Sequence, residues 1–219
     1  LFRRPVAYRS NELQNVNGGS RDKRHGDAEK TRLGLEFLQN ESSKINKPWA
    51  LYLGLTEPPT KFVALEEYYN MYPEYNIDMP HIPPGHLEDL HLVFQELRHF
   101  KRIATPIPED RIRKARAAYY GMITELDEYI GKIYDQLERS GELKNTLFIY
   151  TSDHGESLGE HGLWLKNNLY DVAARVPLVM AVAELPEDVK IDAPVGDVDV
   201  VATMLEFAGS EAFNKLRGK

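Results

Sequence analysis

A carboxylate and an imidazole stand side by side at Asp153-His154, directly behind the apolar run Thr146-Leu147-Phe148-Ile149-Tyr150. That run reads as a buried strand, which would bring both side chains out at its C-terminal end, where open α/β sheets place ligands. A hard oxygen donor and a ring nitrogen leaving a strand together can face one divalent cation if the backbone turns sharply, and Gly155 permits such a turn. Taken alone, Asp-His-Gly reads first as an Asx-type turn whose side chains bond local backbone groups. The residues that follow shift that balance. Gly159 and Gly162 bracket Glu160-His161, and a lone Lys166 closes the apolar stretch Leu163-Trp164-Leu165. A partly buried ammonium wants an anion. Asp153, His154, His161 and Lys166 together suit a site that holds a negatively charged group against a cation. The plainer readings, a surface lysine and a hydrogen-bonded structural histidine, stay open for Lys166 and His161.

Positioning such a cluster requires a sheet end and helices to cover it. Residues 27–43 predict a helix with Leu33, Phe37 and Leu38 on one stripe and with Asp27 and Glu29 near its positive N-terminal end. After Pro48, the unbroken apolar run 49–55 predicts a strand covered on both faces. From 56 to 108 prolines recur, leaving room for short helices near 64–71 and 86–101. Four histidines fall there, His81, His86, His91 and His99; without acidic partners at a metal-ligand spacing they read as solvated residues. The period of three and four from Ile112 to Leu137 predicts a helix over 109–140, capped by Gly141. Beyond the 146–151 strand come a short helix near 168–174, a strand at 177–182 and a last helix around 198–208. This alternation predicts an α/β fold with a largely parallel sheet flanked by helices. The divisions expected are an irregular segment at 1–26, a main unit at 27–210 and a tail at 211–219.

Composition narrows the function classes. A net charge of -7 disfavours a protein that grips nucleic-acid phosphates. No apolar run reaches the roughly 20 residues of a membrane span, so no transmembrane helix is expected. The 219 residues contain no cysteine, which removes disulfides, thiolate nucleophiles and cysteine zinc sites without fixing a compartment. Asn40-Glu41-Ser42 is a glycosylation sequon of a kind common by chance. The chain opens Leu1-Phe2-Arg3-Arg4 without methionine, which reads as a trimmed or partial polypeptide.

The run from Thr151 through Asp153-His154-Gly155-Glu156 to Lys166, followed by Tyr170-Asp171 and Arg175-Val176-Pro177-Leu178, resembles the second half of type I sulfatases of the alkaline phosphatase superfamily. Among these it resembles iduronate-2-sulfatase-like members. The resemblance extends over roughly 27–210, taking in 31–55, Tyr119-Tyr120-Gly121-Met122, Leu126-Asp127, Asp192-Ala193-Pro194-Val195 and Thr203-Met204-Leu205. It implies an alkaline phosphatase-like fold, here incomplete, and metal-assisted hydrolysis of sulfate esters, including those of sulfated sugars. By the same resemblance Asp153 and His154 match a pair of metal ligands, usually to Ca2+, and Lys166 matches the lysine that contacts the sulfate. His161 lies within the motif as a second catalytic candidate. A secreted, periplasmic or lysosomal setting is implied as well.

The family's nucleophile is a formylglycine made within Cys/Ser-x-Pro-x-Arg, and no such motif occurs here. Its first acidic metal ligands are also unmatched. Lys23-Arg24-His25 sits too late to be its anion-binding motif, and Glu57-Pro58-Pro59-Thr60 stands where relatives carry Pro-His. The chain is therefore expected to be the C-terminal part of a catalytic domain, inactive alone and needing a companion N-terminal segment or chain that holds the formylglycine. The alternatives are a phosphoesterase or phosphonate monoester hydrolase of the same superfamily, or a divergent, non-catalytic interaction protein on this scaffold.

Overall fold

The computed structural model describes residues 18–22, 26–59, 61–183, 186, 188–210 and 212. Lys23-Arg24-His25, most of the 1–26 segment and nearly all of the 211–219 tail lie outside the described residues.

The longest element is the helix Glu109–Ser140, termed α4, whose 32 residues extend about 48 Å at 1.5 Å per residue. Its buried positions Ala115, Ala118, Met122, Leu126, Tyr129, Ile133 and Leu137 recur every three or four residues, so one stripe faces inward along its whole length. Gly141 ends it in the left-handed conformation, φ 76°, which a residue without Cβ adopts at little cost. Two apolar cores lie along this stripe. Near the helix start, Ala115, Ala118 and Met122 pack with Phe62, Ala64, Ile103, Leu158 and Trp164. Near its end, Ile133 and Leu137 pack with Leu38 and with Trp49, Leu51, Leu53 and Phe148.

The remaining helices are α1 (Gly26–Asn40), α2 (Glu66–Tyr69), α3 (Leu92–Phe100), α5 (Asp171–Ala174) and α6 (Asp197–Phe207). Helix α3 begins later than its sequence suggests because His91 caps it: the His91 Nδ1 accepts a bond from the Val93 N–H at 3.3 Å. Strand β1 (Gly19–Arg21) pairs in parallel with β2 (Val63–Leu65), and β3 (Phe148–Thr151) pairs antiparallel with β4 (Leu178–Ala181). The described ladders are thus one parallel and one antiparallel pair.

Two expectations need correction. The segment read as irregular through 26 contains β1, whose partner lies more than forty residues away, beyond the reach of any local periodicity. The strand expected at 49–55 has no ladder among the described residues. Trp49, Leu51 and Leu53 bury against the second core while Tyr52 is 91% exposed, so the run alternates like a strand covered on one face, with no ladder partner among the described residues.

Asp27 shows how the segment after this run is held. Its position in the first turn of α1 suits the helix dipole, yet its carboxylate also reaches across to the 56–57 turn. It accepts the backbone N–H groups of Thr56 at 2.6 Å and Glu57 at 2.8 Å, the Thr56 hydroxyl at 2.8 Å and the Lys30 ammonium at 2.8 Å. Burial works to raise its pKa, but Lys30 and the Thr56 and Glu57 donors outweigh it, and the net direction is down. Asp27→Ala leaves those buried donors without an acceptor and is expected to cost about 3 kcal/mol. Asp27→Asn, which keeps one acceptor oxygen, should cost less. Denaturant unfolding of the two variants checks this, and equal losses would remove the carboxylate from the account.

Candidate active site

Strand β3 ends at Thr151, and the next turn delivers Asp153 and His154 to the surface, 81% and 37% exposed at their side chains. The turn is shaped by Gly155. Its N–H donates to the Ala173 carbonyl of α5 at 2.9 Å, and a Cβ on Gly155 would stand 2.1 Å from the Val172 carbonyl oxygen. Only glycine lets the chain pass so close to α5. The Ser152 hydroxyl donates to the His154 carbonyl at 3.0 Å, so the Asx-like local bonding anticipated from sequence is supplied by serine, with Asp153 left pointing outward.

His154 is held in one tautomer. Its Nδ1 lies 2.9 Å from the Gly155 carbonyl oxygen, which can only accept, so Nδ1 carries the hydrogen and Nε2 presents its lone pair. Two groups converge on that nitrogen: Asp153 Oδ1 at 3.4 Å and the Lys166 ammonium, within hydrogen-bond contact. Three of the four residues singled out from sequence therefore meet. His161 does not join them through its described contacts. Its ring stacks on Tyr170, centroids 4.0 Å apart and 12° from parallel, with the His86 ring 5.1 Å away. Its φ of 57° and the left-handed Gly159 and Gly162 form the one-turn 3₁₀ segment Glu160–Gly162.

Lys166 reaches His154 because the chain between them folds back on itself, and the residues that fold it went unnoticed in the sequence. Glu156 Oε1 accepts the N–H of Leu158 at 3.2 Å and that of Leu165 at 2.6 Å. The Ser157 hydroxyl donates to the Leu165 carbonyl at 2.5 Å and accepts from Asn168 Nδ2 at 2.8 Å. From outside the loop, buried Lys101 donates to the Trp164 carbonyl at 3.0 Å, and buried Arg116 of α4 donates to the Leu158 carbonyl at 3.0 Å and to Glu160 at 3.1 Å. Burial pushes the Lys101 ammonium down to about 8 against the pull of Glu156, and pushes the Glu156 carboxyl up against its two N–H donors and Lys101. The burial of Lys101 and Arg116, which only the fold reveals, marks them as partners of the loop, since such cations are buried only with partners.

Asp153 and His154 fit a cation. A carboxylate oxygen and an imidazole lone pair 3.4 Å apart match two adjacent ligands on one ion with bonds of roughly 2.4 Å, and a positive group, Lys166, already rests on the same nitrogen. The backbone carbonyl on Nδ1 orients the ring as the outer partners of ligating histidines do. Two donors make only part of a coordination shell, and among the described residues no group of three or more candidate ligands forms.

Two outcomes follow from this packing. Gly155→Ala is expected to cost about 3 kcal/mol, because the new methyl group must displace the α5 backbone; a thermal melt indistinguishable from the parent would mean that this approach is not tight. Burial and then His86 push the His161 imidazole below its ordinary value, Glu160 opposes them and His81 adds to them. A folded value below the unfolded one means that the unfolded chain takes up the proton first, so stability falls as pH drops below about 6.5 and levels off under the folded value. His161→Gln should flatten that fall, measured as the urea midpoint at about pH 7.5 and 5.5; a variant that keeps the full fall rules His161 out as its source.

Comparison with known proteins places the chain in a family. Residues 4–210 match the family model described as Sulfatase. Choline-sulfatase of Rhizobium meliloti (strain 1021) is 33% identical over 181 residues, which cover 80% of this chain and 34% of that protein. Human iduronate 2-sulfatase is 30% identical over 176 residues, covering 74% and 32% respectively. Among solved structures, a phosphonate monoester hydrolase from Silicibacter pomeroyi superposes with a TM-score of 0.76 at 27% identity, covering 86% of this chain and 39% of that one. The chain thus spans about a third of the length of the curated relatives it matches. The fold is the alkaline phosphatase-like α/β fold of these proteins, and the family is one that uses a divalent metal. With its motif loop, its helices and its match over most of the sequence in agreement, this chain belongs to the sulfatase family.

Proposed function

We propose that these residues form the cation-holding and leaving-group side of a sulfate ester hydrolase site. Asp153 and His154 are the ligands to a divalent cation, Ca2+ by the family resemblance, and Lys166 faces the sulfate and its leaving oxygen. The observation that supports this reading is the convergence of the Lys166 ammonium and Asp153 Oδ1 on one lone pair, His154 Nε2. As the sulfur–oxygen bond breaks, negative charge grows on the leaving oxygen, and a fixed ammonium donor stabilises that charge more than the neutral ester. A bound divalent cation would neutralise the non-bridging sulfate oxygens. His161, stacked on Tyr170, is better placed to support the loop than to move a proton.

The nucleophile is assigned to a companion N-terminal segment or chain, since none of the 219 residues lies in a Cys/Ser-x-Pro-x-Arg motif. The catalytic portion read as 27–210 then extends upstream to include β1. Sulfated sugars are the substrate class suggested by the iduronate 2-sulfatase likeness. A second reading has one specific support, the likeness to a phosphonate monoester hydrolase. Sulfate monoesters and phosphonate monoesters each carry a single negative charge on a tetrahedral centre, so one lysine and one cation serve either.

Calcium titration of the polypeptide by calorimetry should show one site that both Asp153→Ala and His154→Ala abolish; unchanged binding in both variants would detach these residues from the cation. The 219-residue chain alone should hydrolyse no sulfate ester above background, and the complete enzyme should prefer sulfate over phosphonate monoesters bearing the same leaving group. Robust turnover by the isolated chain would mean that the reaction does not use the assigned nucleophile. A preference for the phosphonate would install the second reading.

A further inference from the structure

Lys166 has to be delivered to His154 by the residue before it, and that residue is held in an unfavourable conformation. Leu165 sits at φ 66°, in the left-handed region that costs a residue with a Cβ about 1–2 kcal/mol. Such a conformation persists where neighbouring bonds over-determine it. Both backbone groups of Leu165 are taken by Glu156 and Ser157. The Leu165 N–H donates to Glu156 Oε1 at 2.6 Å, and its carbonyl accepts the Ser157 hydroxyl at 2.5 Å and the Ser157 N–H at 3.3 Å. Glu156 and Ser157 in turn lie two and three residues after His154. The bonds therefore tie the start of the loop, where Asp153 and His154 emerge, to its end, where Lys166 emerges. Lys166 itself is exposed, and its ammonium reaches His154 Nε2 from the end of that loop.

We propose that Glu156 is a positioning residue for Lys166, acting through the Leu165 backbone with Ser157 as its partner. This rests on the reading of Lys166 as the group facing the leaving oxygen. Glu156 touches neither substrate nor cation. Its carboxylate holds the Leu165 and Leu158 N–H groups together, so that the lysine stem leaves the loop toward His154 Nε2. Buried Lys101, which binds the adjacent Trp164 carbonyl, supplies the positive charge that lets a carboxylate do this away from bulk water.

A double-mutant cycle in the complete enzyme tests the assignment, reading kcat and KM separately. Lys166→Ala should lower kcat about 100-fold. Glu156→Ala should lower kcat about 30-fold with KM nearly unchanged, as a displaced catalytic group does. Glu156→Gln keeps an acceptor oxygen for both N–H groups and should stay within about threefold of the parent. Because Glu156 acts through Lys166, the Glu156→Ala/Lys166→Ala pair should be no slower than Lys166→Ala alone. If Glu156→Ala does not fold, Ser157→Ala takes its place in the cycle, with the same absence of further loss expected. Losses that multiply in the double variant, or a Glu156→Gln enzyme as slow as Glu156→Ala, overturn the positioning role while leaving that of Lys166 intact. A Lys166→Ala enzyme at parental kcat overturns the functional reading, and the positioning role with it.

Discussion

The site depends on a loop closing on itself. Asp153 and Lys166 are thirteen positions apart, and nothing in the local backbone requires their ends to meet; an open chain of that length samples many separations at comparable free energy. What removes the freedom is a set of hydrogen bonds between charged groups and main-chain atoms: Glu156 on two N–H groups, Arg116 and Lys101 on two carbonyls. Bonds in which one partner is ionised are shorter and stronger than neutral ones, and away from water they lose little to screening. Each of these charges would be costly to bury alone. Lys101 lies close enough to Glu156 for the two to influence each other's titration, and Arg116 binds Asp78 and Glu160, so the same contacts that fix the loop also neutralise the residues that fix it.

Helix α4 gives this arrangement its reference frame. Arg116 projects from the same stretch of helix that supplies Ala115, Ala118 and Met122 to the first core, and that core contains Leu158 and Trp164 from the loop itself. Apolar packing and charged clamps thus act on one segment from one side. At its other end the helix packs on Phe148, the first residue of β3, and on α1. The strand that launches Asp153 and His154 and the loop that returns Lys166 are registered against a single rigid rod, which is what holds groups from separate segments in a constant mutual geometry.

What could be read from the sequence follows the range of the forces involved. Helix α4 was legible because its stripe is local and recurs along its whole length, and Gly141 announces its end. The β3 and β4 strands were legible as apolar runs at 146–151 and 177–182, but their shorter ladders and antiparallel pairing were not, because pairing depends on a partner distant in sequence. The 19–21 strand was invisible, since its reason for existing is a partner at 63–65. The 49–55 run has no ladder among the described residues and is covered on one face only, because apolar character alone sets neither a strand's neighbour nor its second face. Asp153, His154 and Lys166 stood out as chemically costly residues in a glycine-punctuated segment, and they do converge. Glu156, Lys101 and Arg116 did not stand out, because an isolated charge in a sequence looks like a solvated one until its burial is known.

The division between buried and exposed charge in this region has a functional logic. Asp153 and Lys166 lie open to solvent, where a contact such as the one each makes with His154 Nε2 contributes little to stability. The clamps are buried, where exchange is expensive. Under the proposed function Lys166 would have to release His154 Nε2 to a cation and turn toward an anion, so its precision would have to come from the backbone beneath it. That is the arrangement seen at Leu165, whose N–H and carbonyl are both held, while the exposed lysine one residue later contacts His154 Nε2. In that proposal a constrained backbone beneath an exposed ammonium would let one lysine serve the site with and without substrate, the loop itself unchanged.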